Sequence, residues 1–353
     1  MSGQRERGRS VKAKRFFIGA LLAAGTALAA CAGLVAWTDP LLSAGTLEEG
    51  DTALFVNERY EAAGLIRRQD YRNLVMGTSL AANFRASWFT QGLGGGTLKV
   101  TFPDGRLSEF DTALDLACRT HGDPERVYFG LDPNILIRAD QRSELPDYLY
   151  NDNPLDDIQL YLNAESLALA VKSLLQGEEA KTTLDEAYAW DRTHYFSRET
   201  ALAGYPRPEP TGQLLPADAF LDAARANVAV IRGWAAAHPD TQFIVWFPPY
   251  SVLYWDQAQR LGRTEAVLTA VEYAWEELLK CENVQVVSFL NAQRFTTNLD
   301  NYGDHIHCSS AVTRWMAGEL MAGRWRIWPD AYHSQMDELR QFVTQYDYDA
   351  IFA

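Results

Sequence analysis

Positive charge is scarce in this chain of 353 residues once its first fifteen positions are passed. Arg5, Arg7, Arg9, Lys12, Lys14 and Arg15 stand in that leader against Glu6 alone. With these set aside, 26 basic and 45 acidic residues remain, a net charge of about −19. No Lys/Arg cluster survives beyond the leader. An acidic exterior repels nucleic acid and anionic lipid, which argues against nucleic acid as a partner. Cysteine is equally sparse, at four. Cys118, Cys281 and Cys308 follow the apolar run described next, and none has the close spacing of a zinc knuckle. An oxidising exterior would permit one disulfide without choosing the pair, and three separate buried thiols is the simpler reading. Internal repeats and low-complexity tracts are absent. Gly94-Gly95-Gly96 lacks the spacing of a phosphate loop and reads as a turn. Nothing here calls for a metal or an organic cofactor.

What the chain does have is a run of 22 uncharged residues at 16–37, FFIGALLAAGTALAACAGLVAW. About 20 apolar residues suffice to cross a bilayer core. The basic leader, 1–15, would stay in the cytoplasm, leaving the remainder outside the cytoplasmic membrane as a single-pass protein. Trp37 suits the outer interface, and Asp39-Pro40 would end the helix. A cleaved signal peptide has a shorter apolar core, of about 7–15 residues. Leu28-Ala29-Ala30-Cys31 looks like a lipobox, which would make Cys31 a lipidated first residue. A lipoprotein has no need of the apolar residues after Cys31, so the uncleaved anchor is the preferred reading.

Residues 38–70 read as a connector packing back on a domain at 71–353. With 47% hydrophobic residues, the chain can build a large core. Short apolar runs predict buried strands over 73–77, 97–102, 126–130, 241–247 and 284–289. Between and after them, helical spacing predicts helices over 80–89, 107–120, 216–238, 256–280, 309–321 and 332–345. This alternation implies an α/β fold, a three-layer flavodoxin-like sandwich around a parallel five-stranded sheet. It breaks over about 140–215, read as an inserted cap over one end of the sheet.

Ligands in such sheets bind beyond the carboxyl ends of the strands. Gly77-Thr78-Ser79, Pro103-Asp104-Gly105, Asp132-Pro133-Asn134, Pro248-Pro249-Tyr250-Ser251 and the Asp304-His305-Ile306-His307 loop would meet at that rim. Ser79 is a candidate nucleophile, or the N-cap of the following helix. His305 and His307 with Asp304 also suit zinc chemically, but no further ligand cluster accompanies them. His121, His194, His238 and His333 have no motif around them and read as surface residues. Asp191-Arg192-Thr193-His194, in the cap, reads as an ordinary salt link. Trp88, Trp246, Tyr250, Tyr254 and Trp255 fit either a sugar cleft or core packing.

The segments MGTSLAANF, Gly105, GLD and DHIH, in this order, resemble the SGNH (GDSL-like) hydrolase superfamily. ERYEAAGLI, YLYNDNP, FPPYS and YDYDAIF resemble its membrane-anchored bacterial envelope members more closely. The resemblance implies Ser79 as nucleophile, His307 as base and Asp304 as the group orienting the imidazole. It further implies oxyanion donors in the Ser79 and Gly105 N–H groups, each contributing about 3 kcal/mol in the transition state. The family's third donor is an Asn in a Gly-x-Asn setting, where this chain has Gly130-Leu131-Asp132. An ionised Asp cannot donate a hydrogen bond. Either Asp132 is protonated, or Asn134 substitutes, or the chemistry is weaker than usual.

The implied activity is that of an acyl-esterase or O-acetyltransferase acting on a cell-surface glycan or another acyl ester. Transfer would need a separate membrane acyl-donor protein, because one helix cannot carry an acyl group across the bilayer. An inactive binding or assembly module of the envelope, built on the same fold, is the alternative.

Overall fold

A computed structural model describes residues 2–48, 50–153, 155–191 and 193–353, with residues 2–12 and 178 described by backbone alone. The side chains of Arg5, Glu6, Arg7, Arg9 and Lys12, and the whole of Arg192, lie outside the described residues.

Helix α1 (Ser2–Thr38) opens the chain. Its Ala13–Thr38 part is 26 residues long and apolar enough to cross a membrane. At the helical rise it measures about 39 Å, against about 30 Å of hydrocarbon in a bilayer. Strand β1 (Thr52–Ala53) and helix α2 (Glu58–Arg68) lead to β2 (Asn73–Gly77), the first strand of the main sheet. Helices α3 (Ser79–Ala82) and α4 (Ala86–Leu93) connect to β3 (Thr97–Thr101), and α5 (Leu107–His121) connects to β4 (Arg126–Gly130). After α6 (Pro133–Leu136) come α7 (Asp147–Tyr150), α8 (Ile158–Leu162), α9 (Ala164–Gln176), β5 (Thr182–Thr183) and α10 (Arg198–Ala203). Alternation resumes with α11 (Leu221–Ala237), β6 (Gln242–Phe247), α12 (Val252–Arg260), α13 (Thr264–Leu278) and β7 (Val284–Ser288). Helices α14 (Gln293–Thr296), α15 (Ser310–Met321) and α16 (Tyr332–Gln345) complete the chain.

The main sheet has the order β3-β2-β4-β6-β7, with every pair parallel. Strands β2 and β3 are buried at every position, as a sheet covered on both faces requires. Helices α2, α5, α11, α13 and α16 pack in one row, while α4 packs on α15. Right-handed crossovers set those two groups on opposite faces. The chain moves outward from β2 to β3, then doubles back to β4 on the other side. That reversal opens a crevice between the loops after β2 and β4, where ligands bind in this architecture.

The connector is built into the domain. Strand β1 pairs antiparallel with β5 of the cap region. Glu61, fully buried on α2, accepts from the Val56 and Asn57 N–H groups and from the Tyr188 hydroxyl, the last at 2.5 Å. Burial, first, raises its carboxyl to about 7 against those donors.

Three expected helices and the burial of two cysteines need adjusting. The helix expected over 256–280 is two, because Gly262 adopts a φ of +66° and packs against the Gln213 carbonyl. The helix expected from 216 starts at Leu221, and that expected over 80–89 breaks at Asn83. Trp246, Tyr250, Tyr254 and Trp255 are fully buried, so core packing rather than an open sugar cleft accounts for them. Cys118 and Cys281 are half-buried free thiols, and Cys308 is a buried one.

Candidate active site

Strand β2 ends in Gly77, where any Cβ would sit 2.9 Å from the Ala81 side chain. Glycine therefore permits the tight turn into α3. Thr78, not Ser79, caps that helix, its hydroxyl accepting from the Leu80 N–H. Ser79 is left as the first helical residue, with its side chain free for other work. Its Oγ lies 2.8 Å from His307 Nε2. His307 Nδ1 lies 2.6 Å from Asp304 Oδ2. Asp304 Oδ1 accepts the N–H groups of Ile306 and His307, both at 2.8 Å. Burial alone would raise the Asp304 carboxyl, but the His307 imidazole and those two N–H groups outweigh it. The carboxyl is held below the usual carboxylate range and stays ionised at neutral pH. An ionised acceptor fixes the proton on Nδ1 and leaves Nε2 basic toward the serine hydroxyl. His305 does not join this chain of contacts, and its ring packs beside Tyr205.

The other three expected residues fare differently. The Gly105 N–H donates to the Phe102 carbonyl at 2.9 Å, which closes the turn after β3. A Cβ there would strike the Phe102 carbonyl and the Phe110 ring, both at 2.8 Å. Gly105 is a turn residue whose donor is spent locally, and its neighbour Asp104 lines the cavity at Ser79 instead.

Asp132 is also not a donor. It caps α6, accepting from the Asn134 and Ile135 N–H groups at 3.0 and 3.1 Å. The Tyr250 hydroxyl donates to it at 2.9 Å, and so does the Thr78 hydroxyl. Burial raises its carboxyl while these four donors oppose the rise. Asp132 thus ties the loops after β2, β4 and β6 together beneath Ser79. Asp132→Asn is expected to lower stability by roughly 2 kcal/mol, since an amide cannot accept all four bonds. Chemical denaturation of the two proteins measures this. Unchanged stability with faster turnover would make the carboxylate a handicap instead.

Asn134 does share the cavity with Ser79 and His307. Its side-chain amide has no hydrogen-bond partner among the described residues, and neither has the Ser79 N–H. Both are therefore available to a ligand. The cavity is small, about 160 Å³, and is also walled by Arg138, which bridges to Asp104. A cavity of about 480 Å³ beside Leu41, Arg67 and Tyr148 contains none of these groups.

Two residues at the site escaped the sequence reading. Trp190, from the cap, donates its Nε1–H to the Ser79 carbonyl at 3.1 Å and sets its ring edge-on to His307, centroids 5.2 Å apart. The Asn83 carbonyl oxygen accepts from the Trp190 and Asp191 N–H groups, and Asp191 pairs with Arg85 at 3.1 Å. Lys99, buried in β3, donates to the Ala82 and Phe84 carbonyls at 2.7 and 2.8 Å and so secures the end of α3. A lysine inside an apolar strand was a visible signal, whereas Trp190 gave none locally. Burial, reinforced by the charge of Arg85, lowers the Lys99 ammonium to about 7.

No family model matches the sequence, and no curated protein matches it. Among solved structures, one provisionally described as a platelet activating factor from Streptococcus pneumonia is similar at 11% identity and a TM-score of 0.41. The match covers 75% of this chain and 90% of that one.

Proposed function

We propose that this chain is a membrane-anchored serine acyl-esterase or O-acetyltransferase whose domain faces outward and acts on a cell-envelope glycan. The observation that carries the reading is the continuous Ser79–His307–Asp304 chain, at 2.8 and 2.6 Å. Both spacings are within hydrogen-bond reach of the groups that a serine nucleophile and its base require.

In this mechanism Ser79 Oγ attacks the acyl carbonyl while His307 Nε2 takes its proton. Asp304 stabilises the resulting imidazolium. The oxyanion is held by the Ser79 N–H and the Asn134 amide. Collapse breaks the ester C–O bond, and His307 returns the proton to the leaving sugar hydroxyl. Water, or an acceptor hydroxyl, then attacks the acyl-Ser79 ester by the same route. A cavity of about 160 Å³ is below the roughly 300–1,000 Å³ typical of ligand pockets. It suits a small acyl group, acetyl above all, with the glycan left outside. The basic leader, 1–15, before the uncharged run 16–37 supports the outward orientation. If the reaction is transfer, a membrane acyl-donor protein supplies the acetyl group.

Exposure to a fluorophosphonate is expected to add one phosphonyl group, located on the Ser79 peptide by mass spectrometry. A folded protein left unmodified would favour the alternative, a binding or assembly module in which Asp132 has replaced a catalytic donor.

A further inference from the structure

Helices α8 and α9 expose an apolar face that the domain does not cover. Leu155 in the turn before α8, Ile158 and Leu162 on α8, and Val171, Leu174 and Leu175 on α9 are all exposed. Leu155 is 85% exposed and Leu175 82%. Of the acidic side chains in the same stretch, Asp156 and Glu165 are half-buried, whereas Asp157 is exposed. Asp156 accepts from the Asn151 amide, Glu165 accepts from the Asn57 amide, and Asp157 lines the cavity beside Arg67 and Tyr148. Lys172 is the exposed charge on α9, and its long stem can carry an ammonium out to headgroups.

The position of α1 says what covers this face. Helix α1 packs on α8 and α9. Every residue of 13–30 is exposed, whereas Val35 is buried and Cys31, Ala32 and Leu34 are half-buried. The contact therefore falls on the last turns of the apolar run. From Cys31 to Trp37 the helix rises about 9 Å, the outermost part of a membrane span. Interfacial helices sink their apolar faces about 5–10 Å into the headgroup and acyl boundary. A helix pair packed against that part of α1 lies at the same depth.

We infer that α8 and α9 form a second membrane-contact element, embedded in the outer leaflet beside α1, with the bilayer as its occupant. The inference rests on the reading of α1 as a membrane-spanning helix. The domain's net negative charge gives it no attraction for anionic lipid, so this contact is apolar in character. With two contacts in place of one, the domain is fixed in tilt as well as tethered.

The test uses the full chain in phosphatidylethanolamine/phosphatidylglycerol vesicles containing a phosphatidylcholine with a diazirine in one acyl chain. After illumination, lipid adducts are mapped by mass spectrometry. Adducts are expected both within 16–37 and on the outward residues of 155–175. In a Val171→Asp/Leu175→Asp variant the α9 adducts should fall by at least about tenfold, with those in 16–37 unchanged. Adducts in 16–37, with no more in 155–175 than at exposed Leu214, would overturn the inference and leave the anchor standing. Adducts in neither segment would overturn both.

Discussion

Ser79→Ala is expected to leave a folded protein whose turnover of p-nitrophenyl acetate falls by roughly 10⁴–10⁶-fold. The size of the effect follows from the role. Alanine removes the atom that would form the acyl intermediate in the proposed mechanism, and leaves the His307–Asp304 pair without a nucleophile to activate. Folding should survive, because the N-cap of α3 is the hydroxyl of Thr78 and the Trp190 contact uses the Ser79 backbone carbonyl. The one lost hydrogen bond, to His307, costs about 1 kcal/mol. Acetate release and a circular dichroism melt on the same sample check both halves. Normal turnover in a well-folded variant would remove Ser79 from the mechanism.

Asp304→Asn should lower kcat by about 10³–10⁴-fold with little change in KM. The asparagine carbonyl can keep the two backbone N–H groups that Asp304 Oδ1 accepts. The other position becomes an NH₂ group facing His307 Nδ1, so Nδ1 must accept and the proton moves to Nε2. A protonated Nε2 cannot take the serine proton. The stability change has a definite sign as well. Asp304 has a depressed carboxyl pKa, so its contribution is present above the ordinary carboxylate range and is lost as pH falls below it. The Asn variant should therefore show a flatter acid-denaturation profile. A loss confined to KM would point to substrate contact rather than tautomer control.

The sheet was legible because a strand buried on both faces writes its burial into its own residues. Runs such as Leu74-Val75-Met76 and Ile244-Val245-Trp246 announce themselves without knowledge of their neighbours. The triad candidates were legible for a related reason, since the ends of parallel strands all point to one rim. What stayed hidden was set at long range. Asp132 could be seen to stand where an asparagine was expected, but its donors Thr78 and Tyr250 are 54 and 118 positions away. Gly105 was assigned a donor role that its turn had already consumed. Trp190 lies in a stretch without regular periodicity, and only the fold brings it over Ser79 and His307.

The knot at Asp132 has a consequence for how such a chain can change by descent. Thr78 belongs to the turn that carries Ser79, Tyr250 belongs to the loop after β6, and one carboxylate satisfies both hydroxyls together with the cap of α6. Exchange of Asp132 leaves both hydroxyls unpaired, and exchange of Thr78 or Tyr250 takes a donor from the buried carboxylate. Intermediate sequences on such a path would pass through a less stable protein, so the trio is expected to be inherited as a block. A lineage that needed a different oxyanion donor would find it easier to recruit a residue from outside the block. Asn134, two positions along and uncommitted, is such a residue.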